Sequence, residues 1–534
     1  MIVQCMGCSE EFKLDEAELQ FYQKIDVPVP TLCSNCRKQQ RFVWRNERYL
    51  YKRQCDLSGQ SIVSVYQPGT PYKVYEHKLW WSDQWDPLTF GRDFDFTRSF
   101  FEQFSELYQT VPKMSMMVND QSENCDYSLY LDIGKNCYLC VSGAKLEDCH
   151  YCFFCQEDKN CLDCSCTGRS ELCYDTVDCV NCYKVFHSQS SHDCIDSAYL
   201  FNCRNCQNCT GCTNLKYKQY YIFNQPFSRE EYFATLAKLT SAQIKVQFDQ
   251  LKQGAIRRAY EGIQNENVRG NYISNCKNAV DCFDVEALED CRYLVNGQHA
   301  RDTYDSEFFW EAELCYQCMS MFQNNRCMFN DFCWTDQNVA YSSYCFNSQN
   351  LFGCVGLKKS RYCILNKQYS AEAYESLRSE IIAYMKKTGE WGKFFPMSLA
   401  PFAYNESIAF NYYPLTEEQV KQRGWRWMDK DVKEYQLAHD DVLACGTCGK
   451  NYKLVDVEKQ FYEKYNLSAP TDCPSCRMSS RVALRNSRQL WDRQCSCKQI
   501  EHKHQVGCAN SIQTVYAPNR PEKVYCIDCY QKEL

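Results

Sequence analysis

The chain has 534 residues, enough for several domains, and its formal net charge of −7 argues against a protein whose whole surface coats nucleic acid. Cysteine is the exceptional residue, with 41 copies. A small secreted protein with this density would carry disulfides, but the segment from Met1 to Cys5 has neither the basic nor the apolar region of a secretory signal. No apolar run of membrane-spanning length is present in the sequence. We therefore predict reduced thiols that bind metal in the cytoplasm, with export by another route as the alternative.

The first cysteine motif recurs near the other end of the chain. Two residues separate Cys5 from Cys8, and after a further 24 residues the same spacing separates Cys33 from Cys36. The second copy lies 440 positions later and consists of Cys445, Cys448, Cys473 and Cys476. The offset holds without a gap until Cys55 meets Cys495, which identifies an internal duplication.

The spacing of these pairs suits a metal ion. Two residues between cysteines allow a tight turn that aims both sulfurs at one point, and zinc accepts four thiolates in a tetrahedron. Four protein ligands leave no open position, so such zinc is structural, and it stabilises a small domain by roughly 10–16 kcal/mol. Two redox-active pairs are the alternative, but the βαβ surroundings of a redox motif are missing from the sequence pattern.

A further site is predicted after the second copy. Its proposed ligands are Cys495, Cys497, Cys526 and Cys529, with Cys508, His502 and His504 as competitors. The first copy has lost this subsite, because Cys55 stands alone and Leu79 occupies the position of Cys529. We therefore predict two zinc ions in the matching sites and a third near the C-terminus.

Helical patterns accompany both copies. They predict helices over 15–24 and 455–464, and second helices that start at Cys33 and Cys473 and run on through several arginines. With their cysteine pairs, residues 1–80 and 441–534 resemble the treble-clef or zinc-ribbon "probable zinc-binding domain" of uncharacterised bacterial proteins. That resemblance implies the same cysteine ligands and brings no activity with it.

The middle of the chain contains a second duplication, with an offset of 142 over about 120–395. Cysteines recur there every twelve residues, at positions 125, 137, 149, 161 and 173, and at 291, 315 and 327 with Thr303 in step. The step shortens to nine near the end of each half. Fixed short periods predict stacked coils of 12 or 24 residues with cysteine and small residues inside, and Asn or Asp at the corners. Ser228 and Ser370 open helical caps of the two halves, which we expect to end near Ile263 and Lys387.

The 27 central cysteines allow three interpretations. Cysteine is small and soft and packs well in a narrow coil, which is the interpretation we favour. A multi-metal or redox store is the second, and a disulfide ladder in an exported protein is the third. The fold class is therefore predicted as multidomain and mainly β, with two terminal zinc domains flanking a duplicated Cys-rich β-solenoid with helical caps.

Arginines follow the second cysteine pair of each copy. The set comprises Arg37, Arg41, Arg45, Arg48, Arg481, Arg485 and Arg488. A continuous helix would place Arg41, Arg45 and Arg48 on one face, where guanidinium groups can grip RNA phosphates. The alternative is that these arginines pair with acidic residues elsewhere in the chain or pack the zinc domain.

The predicted organisation has six segments. They are a zinc domain over 1–80, an aromatic extension over 81–118, solenoid halves over 119–265 and 266–398, a linker over 399–440 and a second zinc domain over 441–534. Common hydrolase, P-loop, zincin and dinucleotide motifs are missing, so we predict no enzyme activity; a Cys–His nucleophile at His150, His187 or His192 is the alternative. We predict a scaffold or recognition protein with a protein partner and no membrane. An RNA- or ribosome-associated zinc protein and a thiol-based metal or redox protein are the alternatives.

Overall fold

The chain divides into two compact units that do not follow its order. The computed structural model describes residues 1–118, 121–296, 304–305, 316–319, 333–334, 337–429, 441–502, 504 and 507–533. Unit 1 combines Met1–Ser115 with Tyr260–Asp429, and unit 2 combines Met116–Ala259 with Lys430–Leu534. Each terminal cysteine domain therefore shares a unit with the solenoid half that is farther from it along the chain. Among the described residues, no helix combines the length and the apolar character that a membrane crossing requires.

Unit 1 consists mainly of short β-strands and also contains several helices. Its strands are Ile2–Gln4, Glu11–Lys13, Tyr51–Gln54, Ser61–Ser64, Val74–Tyr75, Lys113–Met114, Gly262–Ile263, Arg269–Ser274, Val280–Glu286, Cys333–Trp334, Gln337–Ala340, Cys345–Phe346, Gln349–Phe352, Arg361–Ile364 and Lys367–Gln368. Its α-helices are Glu16–Lys24, Ser34–Phe42, His77–Trp81, Phe100–Thr110, Ala371–Thr388, Ala409–Tyr412 and Glu417–Gln422, with 3-10 turns at Pro87–Phe90, Met397–Leu399 and Tyr404–Glu406.

Unit 2 also consists of short strands and helices, but along the chain its solenoid half comes before its cysteine domain. Its strands are Leu129–Lys135, Val141–Glu147, Tyr183–Phe186, Ile195–Phe201, Gln207–Thr213, Gln219–Ile222, Gln225–Pro226, Arg257–Arg258, Leu443–Ala444, Asn451–Tyr452, Trp491–Gln494, Ser511–Thr514 and Val524–Tyr525. Its helices are Arg229–Leu236, Ser241–Gly254, Asp456–Tyr465, Pro474–Ala483 and Ile527–Glu533, with a 3-10 turn at Ile500–His502.

The middle of the chain forms the predicted β-solenoid, of about 17 turns in the two halves together. Parallel pairing joins residues twelve apart, as between Leu129 and Val141 or between Gln337 and Gln349. The coil is therefore 12 residues long rather than 24. The twelve-residue pairing also persists where the cysteine step shortens to nine, as between Cys209 and Tyr221. Thr303, Cys315 and Cys327, which carry the predicted period in the second half, lie outside the described residues.

A three-residue repeat underlies each coil. In the first half nearly every third residue has a positive φ, including the predicted corner residues Asn136, Asp148 and Asn160 at φ of 51–52°. Asn and Asp tolerate this left-handed region better than other side chains. Twelve residues per coil and three per corner give four corners, so each coil has four short sides. Backbone N–H groups on both sides of a corner bond to neighbouring coils, as when Tyr151 N donates to Tyr138 O and His150 N donates to Cys161 O.

The inward position of the triplet holds the cysteines. Cys137, Cys140, Cys149, Cys152 and Cys155 are all buried in one core that continues to Cys212. Inward positions repeat every three residues and form columns along the solenoid. A step of nine residues therefore places the next cysteine in an adjacent inward column, while the coil length stays at 12 residues. Their thiols donate to backbone carbonyls of the same and the adjacent coil, as from Cys140 Sγ to Cys149 O at 3.1 Å.

Helices cap the solenoid halves as predicted. Ser228 forms a capping box with Glu231 and opens Arg229–Leu236, and Ser370 caps the helix Ala371–Thr388. The first cap ends at Gly254, before the predicted Ile263, because the chain there returns to strands at Arg257–Arg258 and Gly262–Ile263.

The segments between domains are packed rather than free. In unit 1 the Glu390 carboxylate accepts the backbone N–H of Phe101 at 3.0 Å and thereby holds the start of the aromatic helix Phe100–Thr110. The predicted linker also belongs to unit 1 as far as residue 429. Ile408 N donates to Arg45 O at 2.9 Å, and Tyr51 Oη donates to Glu406 Oε1 at 2.5 Å.

Candidate metal centres

The two predicted four-cysteine groups are both gathered in the structure. The sulfurs of Cys5, Cys8, Cys33 and Cys36, and those of Cys445, Cys448, Cys473 and Cys476, form groups whose members lie within 4.8 Å of one another. The Cys8–Cys33 and Cys448–Cys473 sulfur distances are both 3.8 Å. A tetrahedron with Zn–S bonds of about 2.3 Å has an edge of about 3.8 Å, so both groups fit a metal of that size.

The backbone prepares these sulfurs for negative charge. Cys33 N donates to Cys5 Sγ at 3.2 Å, and Cys473 N donates to Cys445 Sγ at the same distance. Cys33 and Cys473 also cap helices, and a helix N-terminus favours thiolate over thiol. The hydrogen bond with Cys36 lowers the pKa of Cys33 to about 5, while the same bond and burial raise the pKa of Cys36. One divalent cation would let all four thiols deprotonate together.

The third group differs from the predicted one at a single ligand. The structure gathers Cys495, Cys508, Cys526 and Cys529, all buried, so Cys508 takes the place that we predicted for Cys497. Cys508 Sγ lies 3.9 Å from Cys526 Sγ, and Cys526 N donates to Cys495 Sγ at 3.1 Å. The loop folds back so that Cys508 N donates to Cys497 O at 2.9 Å, and the two cysteines then belong to different groups, which explains the exchange.

Cys497 belongs to a fourth group that the sequence analysis did not predict. Its members are Cys497, His502, His504 and Cys529. Cys497 Sγ lies 3.2 Å from His502 Nδ1, and His504 Nε2 lies 3.1 Å from Cys529 Sγ. The competing histidines therefore have a site of their own, and the local signal was already visible as two histidines close to a Cys-x-Cys pair.

The corresponding part of unit 1 keeps the shape without the ligands. Cys55 is followed by Ser58 where a second cysteine would stand, and Glu76 N donates to Cys55 Sγ at 3.3 Å, as Cys526 N does to Cys495. Within the described part of unit 1, Cys5, Cys8, Cys33 and Cys36 are the single group of metal-binding type. The predicted loss of this subsite agrees with that geometry.

Buried ion pairs join the C-terminal cysteine domain to the first solenoid half in unit 2. Asp163, at a solenoid corner, pairs with Arg477 at 3.0 Å and with Arg481 at 2.7 Å. Tyr151 Oη, one coil earlier, donates to Glu458 Oε2 at 2.9 Å. Burial raises the pKa of Asp163, and the two arginines oppose that rise.

Unit 1 repeats these contacts with the other copies. Arg37 Nε donates to Asp305 Oδ2 at 2.5 Å, and Arg41 lies 3.6 Å from the same carboxylate. Tyr293 Oη donates to Glu18 Oε1 at 2.7 Å. Each residue of the N-terminal cysteine domain here lies 440 positions before its equivalent in unit 2, and each solenoid residue lies 142 positions after its equivalent. We call these matched sets the docking contacts. They were not predicted from the sequence, although the two offsets together could have identified the pairs.

The arginines proposed for RNA are engaged inside the units. Arg45 pairs with Glu47 at 2.7 Å, Arg485 pairs with Asp178 at 2.8 Å, and Arg488 is buried. The helix that was predicted to carry Arg45 and Arg48 ends at Phe42. The Asn46 side chain accepts the backbone N–H groups of Arg48 and Tyr49 and turns the chain there. The prediction that Arg41, Arg45 and Arg48 share one helical face is therefore wrong. A phosphate would have to displace carboxylates to reach most of these guanidinium groups.

The central cysteines whose side chains the structure describes form no disulfide, and most are buried. They take part in none of the four metal-binding groups of the described residues. Their regular inward stacking favours the packing interpretation over a metal store.

No protein-family model and no curated protein matches this chain. The resemblance to bacterial zinc-ribbon proteins therefore stays a prediction.

Proposed function

We propose that the chain is a non-enzymatic zinc-binding scaffold that presents its solenoid to a protein partner. The observation that carries this proposal is the pair of closed four-cysteine groups whose domains are seated on solenoid halves by matched docking contacts. Four protein ligands leave no coordination position for a substrate. A metal in these groups would therefore act by fixing structure.

Zinc is the metal that this chemistry favours. Thiolate ligands are soft, and tetrahedral S₄ and S₂N₂ groups select zinc or iron–sulfur clusters. The backbone donors to Cys5, Cys445 and Cys495 neutralise part of the charge that four thiolates add to one divalent ion. A treble-clef arrangement belongs to this proposal, because each domain has a two-stranded hairpin and a helix that begins at its second cysteine pair.

One outer column of the unit 2 solenoid offers a surface for a partner. It combines alternating charges at Lys135, Glu147 and Lys159 with two apolar side chains, Tyr183 and Ile195, that are 44% and 41% exposed. Stacked coils give this column a regular twelve-residue spacing. Apolar residues rimmed by charge are typical of protein–protein contact surfaces.

The metal content tests the first half of this proposal. The full chain is purified under reducing conditions, and zinc per chain is counted by native mass spectrometry and elemental analysis. We expect at least one zinc ion in each terminal domain. Cys36→Ser and Cys476→Ser should each bind one zinc ion fewer than the wild type. Iron in these sites, or many metals that survive both substitutions, would favour metal storage by the middle of the chain.

The recognition role is tested on the outer column. We expect a protein partner to co-purify without nucleic acid, and Tyr183→Ala with Ile195→Ala to weaken that complex at least tenfold. Lys145→Ala, an exposed lysine in another column of the same solenoid half, is the matched control and should leave the complex unchanged. RNA that co-purifies and resists moderate salt would contradict the scaffold proposal and support the RNA-associated alternative.

A further inference from the structure

We infer that the C-terminal domain holds two metal ions joined by the Cys529 thiolate. The inference deepens the proposed zinc-binding function, on which it rests. The third and fourth groups share this one residue, and the seven ligands of the two groups are enough for two four-coordinate ions only if one ligand serves both.

The first ion would lie among cysteines alone. Cys495, Cys508 and Cys526 belong only to this side, and the 3.9 Å distance between the Cys508 and Cys526 sulfurs is close to the tetrahedral edge of about 3.8 Å expected for zinc. Asn510 Nδ2 lies 3.5 Å from Cys526 Sγ and donates to it. These ligands are buried, so an unmetallated cluster would leave crowded thiols in an apolar core.

The second ion would have a mixed ligand set. Cys497, His502 and His504 belong only to this side. The Nδ1 atom of His502 faces the group, while its Nε2 atom lies 3.4 Å from the Glu533 carboxylate. A carboxylate on the far nitrogen of a ligating histidine fixes the tautomer and the ring orientation, as is common in zinc sites.

Charge favours a shared thiolate in this position. Five thiolates and two neutral imidazoles around two divalent ions leave a net charge of about −1. By comparison, one zinc ion in either of the outer tetrads, which are the two four-cysteine groups that begin at Cys5 and at Cys445, leaves a net charge of about −2. A sulfur that bridges two ions donates to both and needs no further backbone donor. Cys529 is buried and lies in the helix Ile527–Glu533, which gives it a fixed position between the groups.

A longer strand connection in unit 2 carries several ligands of this centre. Strands 51–54 and 61–64 are joined by six residues in unit 1, while the equivalent strands 491–494 and 511–514 are joined by sixteen residues in unit 2. The longer connection carries Cys497, His502, His504 and Cys508 in addition to the shared Cys495. The ten extra residues thus account for Cys497, His502 and His504, three of the seven ligands, while Cys508 stands where unit 1 has Ser58. The unit 1 copy has no such group in its described residues.

Zinc counting gives the first test. Native mass spectrometry of the full chain should show four zinc ions, and His502→Ala with His504→Ala should show three. Cys55→Ser, at the position equivalent to Cys495 in unit 1, is the matched control and should keep four. Three zinc ions in the wild type, unchanged by the histidine substitutions, would overturn the inference.

Cobalt substitution tests the bridge itself. Two Co²⁺ ions that share a thiolate couple antiferromagnetically, so the EPR signal of the cobalt-loaded chain should account only for the ions in the two outer tetrads. Cys529→Ser should either restore uncoupled signal or release cobalt from the C-terminal centre. Four cobalt ions that all give uncoupled signal in the wild type would overturn the bridge. Loss of metal from the outer tetrads would instead contradict the proposed function.

Discussion

At the scale of single residues, Asp163 and Asp305 join the terminal cysteine domains to the solenoid. Both are fully buried, and each receives two arginines from one helix. Both also occupy left-handed corners, at φ of 55° and 60°, where Asp is tolerated better than most residues. The same aspartate therefore both occupies a left-handed corner of the solenoid and forms the docking contacts.

Removing the charge of Asp163 should be costly. Asp163→Asn keeps the side-chain shape and the corner preference. It leaves Arg477 with Glu458, 2.9 Å away, but leaves Arg481 buried without a paired carboxylate, for which a loss of about 3–5 kcal/mol in the free energy of unfolding is expected. Chemical denaturation of the zinc-loaded chain measures it. Asp193→Asn is the matched control, because Asp193 is an exposed corner residue at φ 54°. Equal stability of the two variants would show that the buried pair contributes nothing.

Asp158 makes the stability of unit 2 depend on pH. It occupies an inward solenoid position, accepts hydrogen bonds from Ser170 N and the Thr167 hydroxyl, and burial raises its pKa well above the ordinary carboxyl value. The folded chain then keeps a proton that the unfolded chain has already lost. The free energy of unfolding should therefore fall as pH rises above about 4.

Asp158→Asn should remove this part of the pH dependence and be at least as stable as the wild type at pH 7. Denaturation midpoints measured between pH 4 and 7 check it, with Asp193→Asn as the control. A midpoint for Asp158→Asn that falls with pH as steeply as that of the wild type would contradict the assignment.

At the scale of elements, the three-residue repeat explains why cysteine is used so often. Each inward position faces a narrow interior, and thiols fill it while donating weakly to backbone carbonyls. Larger residues such as Leu146, Val185 and Leu200 occur singly among them. The same repeat places Tyr, Leu and Lys at positive φ, which costs roughly 1–2 kcal/mol per residue, so the ladder hydrogen bonds between coils must offset a substantial strain.

Thiol labelling tests this packing. Inward thiols such as Cys152 and Cys164 should resist iodoacetamide in the native chain, whereas Cys166, at a partly exposed corner, should react first. Peptide mapping by mass spectrometry separates the positions. Uniform protection that disappears on addition of a metal chelator would instead support metal storage by the solenoid.

Local features of these elements could be predicted from the sequence, but long-range ones could not. The twelve-residue period, the Asn and Asp corners and the Ser228 and Ser370 caps follow from short-range chemistry. The exchange of Cys497 for Cys508 depends on how an insertion folds back, which spacing does not encode. The docking contacts could not be predicted for a related reason. A sequence offset shows that segments are duplicated, but it does not show which copies pack together.

At the scale of the whole molecule, each end of the chain supports the solenoid half that is farther from it in sequence. The offsets of 440 and 142 relate the docking contacts of one unit to those of the other. A duplicated pair of cysteine domain and solenoid half has thus kept its internal contacts, while the chain order places the partners far apart.

Loss of one metal site should therefore destabilise the solenoid half that lies farther away along the chain. Cys36→Ser should weaken the helix that presents Arg37 and Arg41, and amide exchange should rise by roughly tenfold or more around residues 280–296, since each 1.4 kcal/mol of lost stability is one factor of ten. The adjacent first half, around 138–163, should be unchanged. Cys476→Ser should give the reverse pattern, which makes each variant the control for the other. Faster exchange in the sequence-adjacent half alone would contradict the division into these two units, whereas the reciprocal pattern would establish that zinc at each end stabilises the distant half of the solenoid.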